Sequence, residues 1–237
     1  MPDWQSRTSI ILGEEGLRRL SLARIVVVGL GGVGAAAAEM IVRAGVGSVV
    51  LIDNDVFGES NLNRQLPALR STLGRPKAEV LRERLLDVNP ELRVECVQEY
   101  LCEENVSRLI GSPDLVIDAI DTLSPKVALI QYCLGAGVRL VSSMGSGAKL
   151  SATSVRIADI SKTRMCPLAH MLRKRLHKLG IESGFLCVYS EERPIESAVI
   201  LEESRNKKSQ VGSISYLPTV FGCCCAEAAI RELAQIP

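Results

Sequence analysis

Aromatic side chains are scarce: 3 Phe, 4 Tyr and 1 Trp in 237 residues. That leaves few rings for stacking on unpaired bases. An excess of one charge is missing too, since 28 Lys+Arg face 27 Asp+Glu and the net charge is +1. A strongly basic nucleic-acid protein and a disordered acidic chain are both excluded. No apolar stretch approaches the ~20 residues needed to cross a bilayer, so no membrane association is expected. The first residues, Met1-Pro2-Asp3-Trp4-Gln5, have neither a basic nor an apolar signal region, and a cytoplasmic location is the expectation. Eight cysteines occur without a single C-x-x-C pair, so a structural zinc knuckle is not expected. In a cytosolic chain they read as small buried hydrophobes rather than disulfides.

What is present is the pattern of an α/β protein. Hydrophobic residues make up 47%, ample for a core at this length. Short β-branched runs at 24–29, 48–53, 93–100, 114–121 and 139–143 alternate with helical stretches at 33–44, 77–88, 103–110 and 125–135. This alternation predicts a doubly wound, Rossmann-like, mostly parallel sheet with helices on both faces. Residues 1–147 are expected to form a nucleotide-binding domain, with 148–237 as a C-terminal extension packed on it. In the extension, strands are predicted at 154–160, 185–189 and 198–201, and helices at 168–179 and 220–233. The rest of 181–215 reads as irregular or β-like.

Gly29-Leu30-Gly31-Gly32-Val33-Gly34 leaves the first strand and opens a helix. Such glycines permit a tight turn and close approach of backbone N–H groups to phosphate. Asp53 ends the next strand, where a carboxylate can accept bonds from ribose hydroxyls. Alone, these features would most often indicate NAD. The following segments, Asn54-Asp55, Ser60-Asn61-Leu62-Asn63-Arg64-Gln65 and Gly74-Arg75-Pro76-Lys77, bring Arg and Lys to the same crevice. Hydride transfer does not need them, whereas charge that builds up on a triphosphate does. Asp121 at the end of the fourth strand is placed to hold magnesium.

The motifs G-x-G-G-x-G, L-I-D-x-D, S-N-L-N-R-Q, G-x-x-K and D-A-I-D resemble those of the ubiquitin-activating-like enzymes, including the ThiF- and MoeB-like activators of sulfur-carrier proteins. The resemblance implies carboxylate adenylation with ATP and Mg2+. It implies that Gly29, Gly31, Gly32 and Gly34 form the phosphate loop and Asp53 binds ribose. Asp55, Asn61, Arg64, Gln65 and Lys77 belong to the nucleotide site, and Asp121 to the metal. Arg7 in the N-terminal segment would reach the partner's site, which implies a homodimer. Sulfur-carrier activators usually carry two C-x-x-C pairs, absent here. The stretches Leu12–Leu17, Asp118–Asp121, Ser124–Lys126, Asp159–Ala169 and Gly212–Pro218 are instead similar to the tRNA threonylcarbamoyladenosine dehydratase family. Position 166 is often Asp in that family and is Cys here.

That likeness implies ATP-dependent cyclisation of threonylcarbamoyl on adenosine 37 of tRNA, with AMP and pyrophosphate released. An activator of a small sulfur-carrier protein is the nearest alternative, a sulfur-transfer protein a further candidate partner, and an NAD-dependent oxidoreductase a more distant reading. The basic run with Arg164, Arg173, Lys174, Arg175 and Lys178 contains no acid and suits RNA phosphates. Arg205, Lys207 and Lys208 form a second basic cluster. Cys166, beside Arg164 and the basic helix, is the candidate reactive thiol.

Overall fold

The computed structural model describes residues 3–201 and 209–235. Its centre is a seven-stranded sheet. The first five strands in sequence are β1 (Arg24–Val28), β2 (Ser48–Ile52), β3 (Arg93–Val97), β4 (Leu115–Asp118) and β5 (Arg139–Ser143); β6 (Val155–Asp159) and β7 (Leu186–Ser190) follow. Their spatial order is β3-β2-β1-β4-β5-β7-β6. All neighbours run parallel except β6, which pairs antiparallel with β7. The extension therefore continues the same sheet.

Central strands of a parallel sheet are covered on both faces, which is why β1 reads Ile-Val-Val-Val without alternation. Ile25 and Val27 point into one core with α1 (Ser6–Leu22), α2 (Gly32–Arg43), α3 (Lys77–Val88) and α7 (Leu217–Ala234). Val26 and Val28 point into the other with α4 (Val106–Ile110), α5 (Leu123–Gly135) and α6 (Pro167–His177). Helix boundaries follow local chemistry. Pro76 precedes α3 and Asn89-Pro90 ends it, while Pro167 opens α6 at the first turn.

Helices α2 and α7 lie very close. A Cβ on Gly222 would stand 2.4 Å from the Val33 carbonyl oxygen and 2.7 Å from the Ala36 Cβ. The alanine-rich face of α2 and a glycine in α7 make that approach sterically possible. Helix α1, which the sequence pattern does not announce, bends at Gly13, whose φ of 69° is left-handed. Beyond the bend it packs on α7; before it, Ile10 and Ile11 are 84% and 81% exposed. A separate hairpin joins β8 (Val199–Leu201) to β9 (Ser209–Val211). Arg205, Lys207 and Lys208 lie outside the described residues.

Candidate active site

A cavity of about 540 Å³ opens where the carboxyl ends of β1, β2, β3 and β4 converge. In a doubly wound sheet this is where the strand order reverses and ligands bind. Gly29, Gly31, Gly32, Asp53, Asp55, Asn61, Arg64, Gln65, Lys77 and Asp121 all line it.

The glycines do different work. Gly29 has φ 86°, and a Cβ there would lie 2.8 Å from the Ala119 carbonyl, so the loop can pass against β4. Gly31 faces the cavity, with only Gln65 Nε2 near its Cβ direction, at 3.7 Å. Gly34 does not line the cavity. Its Cβ would meet the Gly29 carbonyl oxygen at 1.8 Å, so its role is to seat α2 on the turn.

Asp53 Oδ2 accepts from Leu30 N at 2.6 Å and Oδ1 from Asp55 N at 2.8 Å. The carboxylate thus ties the glycine loop to the end of β2. Burial pushes the Asp53 carboxyl up, and the nearby Lys77 ammonium opposes that. Lys77 is itself buried and donates to Asp55 Oδ2 at 3.0 Å. Asn61 Oδ1 accepts from Gly58 N, and Arg64 is held by the Ser60 carbonyl and Asn63 Oδ1. Gln65 is 6% exposed, and its Oε1 has no hydrogen-bond partner. That oxygen is an acceptor, so only a group that donates a hydrogen, such as a hydroxyl or an amino group, can satisfy it.

Strand β4 stops at Asp118, three residues short of the predicted end, so Asp121 sits on the following turn. Beneath that turn lies an ion pair to which the sequence alone assigns no role. Lys126 Nζ donates to Asp118 Oδ2 at 2.6 Å, the Ser143 carbonyl at 3.0 Å and Ser142 Oγ at 3.2 Å. Ser142 Oγ donates to Asp118 Oδ2, and Asp118 Oδ1 accepts from Ile120 N. Both charged residues are fully buried. The signal is present in D-A-I-D followed by Lys126, but only the sheet register puts Ser142 beside Asp118.

Other predicted residues lie elsewhere. Arg7 is exposed on α1, away from this chain's cavity. Cys166 is buried at the N-cap of α6 and does not line the cavity. Arg164 pairs with Glu191, and Arg173 donates to the Thr163 carbonyl and hydroxyl. Lys174, Arg175 and Lys178 are exposed. Of the three adjacent C-terminal cysteines, expected in the core, Cys225 is buried but Cys223 is exposed.

The ThiF family model matches residues 5–237. This chain belongs to the ThiF family. The ThiF fold accounts for the position of the cavity, and the likeness extends over the full architecture. The chain is 37% identical to the tRNA threonylcarbamoyladenosine dehydratase of Bacillus subtilis, over 97% of this chain and 94% of that one. It superposes on the Escherichia coli tRNA N6-threonylcarbamoyladenosine dehydratase TcdA, in complex with ATP, with a TM-score of 0.90 and 34% identity, covering 99% of this chain and 96% of that one. The molybdopterin-synthase adenylyltransferase of Escherichia coli is 38% identical, but over 54% of this chain and 51% of its own.

Proposed function

We propose that this ThiF-family chain is an ATP-dependent dehydratase that cyclises the threonylcarbamoyl side chain of adenosine 37 in tRNA. The carrying observation is end-to-end likeness to dehydratases of that name, against a half-length match to a molybdopterin-synthase adenylyltransferase. The cavity supports this reading: its glycines leave room for phosphate, Asp53 lines it where a carboxylate would accept from ribose hydroxyls, and the Gln65 amide nitrogen lies beside Gly31.

The chemistry has two steps. A substrate carboxylate oxygen attacks the α-phosphorus of ATP, the bond to the β-phosphate breaks, and pyrophosphate leaves. The carbamoyl oxygen of the same side chain then attacks the acyl carbon, AMP leaves, a nitrogen proton is lost, and a five-membered ring closes. Adenylation supplies the leaving group that a carboxylate lacks, and the intramolecular attack benefits from proximity. Arg64 and Lys77 would balance negative charge as it develops on the phosphates. Asn61 and Gln65 would orient them.

Among the described residues no group of three or more His, Cys, Asp or Glu stands together to hold a metal. Asp121 lines the cavity, and Mg2+ is typically held by one or two carboxylates plus substrate phosphates, so the fit rests on Asp121 and the phosphates of ATP. Asp121 would hold the ion, which supplies charge neutralisation at the phosphates. The exposed Arg7, Ile10 and Ile11 on the outer half of α1 support a homodimer in which Arg7 enters the partner's site. Lys174, Arg175 and Lys178 offer charge to tRNA phosphates. A cytoplasmic site of action fits such a substrate.

The test is direct. The protein is incubated with ATP, magnesium and tRNA carrying threonylcarbamoyladenosine, the tRNA is digested mildly, and the nucleoside is weighed. ATP-dependent loss of one water is expected. An unchanged nucleoside, with pyrophosphate exchange supported instead by a small protein ending in Gly-Gly, would reject the dehydratase reading.

A further inference from the structure

The cavity has a wall that the nucleotide residues leave unused. Along the carboxyl edge of the sheet, Tyr100 and Leu101 follow β3, Asp53 follows β2, the glycine loop follows β1 and Asp121 follows β4. The next position along that edge belongs to β5, and the residue it contributes is Ser146. Ser213, from the segment after β9, completes this side. If ribose lies at β2 and phosphates at β1, the β5 side is where the second substrate must meet them.

This wall is held from several directions. Ala148, a non-glycine residue at φ 57°, adopts a conformation that persists only where the surroundings enforce it. Its N–H donates to the Gly212 carbonyl at 2.8 Å, and its own carbonyl accepts from Ile195 N at 2.7 Å. The Glu192 carboxylate accepts from Leu150 N and Ser151 N. Tyr216 Oη donates to the Leu150 carbonyl at 2.6 Å. Buried Lys149 donates back to the Gly145 carbonyl at 3.3 Å. Asn63 Nδ2 donates to the Ser213 carbonyl at 2.9 Å, which links the wall to the Asn61–Gln65 segment. At its other end Gly145 abuts Leu168 in the first turn of α6, the helix that carries the exposed basic residues.

We propose that residues 145–148 and 212–213 form the acyl-substrate half-site, with the Ser146 hydroxyl as the residue that recognises the threonylcarbamoyl group. The inference rests on the dehydratase reading. A hydroxyl both donates and accepts, so it can bond a carboxylate, a side-chain hydroxyl or a carbamoyl group. A rigid backbone holds it at one distance from the phosphates, which is the condition for orienting a nucleophile. Helix α6, whose first turn abuts Gly145, carries Lys174 and Arg175, which would meet phosphates further along the tRNA.

Two variants and two readouts test this. Ser146→Ala removes the hydroxyl, and Ser146→Val puts apolar bulk in its place. In steady-state dehydration of modified tRNA, Ser146→Ala should raise KM about tenfold, the size of one hydrogen bond to a charged partner. Ser146→Val should raise it further. ATP affinity, measured by calorimetry without tRNA, should stay within about twofold for both variants, because the inference gives the nucleotide no bond to this wall. Unchanged KM in both variants, or ATP affinity falling in step with KM, overturns the half-site while leaving the dehydratase reading intact. A wild-type protein inert on the modified tRNA removes that reading, and this inference with it.

Discussion

Replacing Lys126 with Met removes a cation from beneath the turn that carries Asp121. Lys126 and Asp118 are both fully buried, and every Nζ donor has a partner. The substitution keeps most of the side-chain volume, so cavity formation contributes little. It leaves the Asp118 carboxylate buried without its counter-charge, and breaking such a pair costs about 3–5 kcal/mol. That is a large part of the roughly 5–15 kcal/mol by which domains are stable. For a chain of this size it corresponds to a fall in Tm of roughly 6–20 °C. Thermal melts and urea midpoints read the loss. The double variant Asp118→Asn/Lys126→Met removes both charges and should recover at least about half of it, because the unpaired charge, rather than the lost contacts, carries most of the cost. A single variant losing less than about 1 kcal/mol, the scale of one ordinary hydrogen bond, would refute the argument. So would a double variant as unstable as the single one.

Other expectations follow from the cavity and its supports. Gly34→Ala should lower Tm sharply, since its Cβ would lie 1.8 Å from the Gly29 oxygen; Gly31→Ala should fold normally and lose ATP affinity, and equal melting of the two would sink the distinction. Burial works against the Glu39 carboxylate, but bonds from Arg84 and Arg43 outweigh it and hold it below its ordinary value of 4.5. Its contribution is therefore present above about pH 4.5 and lost as pH falls through the lowered folded value; urea midpoints for wild type and Glu39→Gln should differ at pH 7 and converge in acid, and a constant gap would contradict the pairing. Asp121→Ala should slow pyrophosphate release at fixed magnesium by about a hundredfold or more, and full-rate release would remove it from the metal site. Arg7→Ala should be inactive alone yet recover up to about a quarter of wild-type activity when mixed in equal amounts with an inactive Lys77→Ala chain, because random pairing makes half the dimers mixed with one intact site each; no recovery, in dimers shown to exchange subunits, would exclude action across the interface.

Much of the sheet and its cavity is legible in the amino-acid sequence. The run 25–28 is continuously β-branched and apolar because both its faces are covered, and α3 is bracketed by prolines, so both can be located to within a residue or two. The cavity residues are legible for a related reason. They sit directly after strands, where a parallel sheet brings the carboxyl ends together. Helix α1 escapes the pattern because Gly13 interrupts it and its outer half exposes isoleucines that would otherwise mark a buried face. The Asp118–Lys126 pair is local in sequence, but the Ser142 hydroxyl that completes it, like the Ser146 wall, depends on which strands lie side by side. Cys166 looks reactive from its basic neighbours in sequence, yet its side chain turns into the core. Arg164 and Arg173 belong to a run without acids, but Glu191 reaches Arg164 from another part of the chain, and Thr163, at the head of the same run, holds Arg173.

The close contact of α2 with α7 bears on the order in which the protein can be built. The glycine loop and α2 are synthesised long before α7, but one flank of α2 is covered only by that helix, which begins at Leu217 and packs beside α2 on the same face of the sheet. Pro218, at the start of that helix, also stands against Gly32 in the cavity wall. A nascent chain extending to Ser143 has its five parallel strands but still displays the alanine-rich side of α2 to solvent. The phosphate cradle is therefore finished only once α7 has been made, and until then the growing chain carries an exposed apolar seam of the kind that chaperones hold. A frameshift anywhere before α7 should consequently yield an aggregating fragment rather than a shortened nucleotide-binding protein.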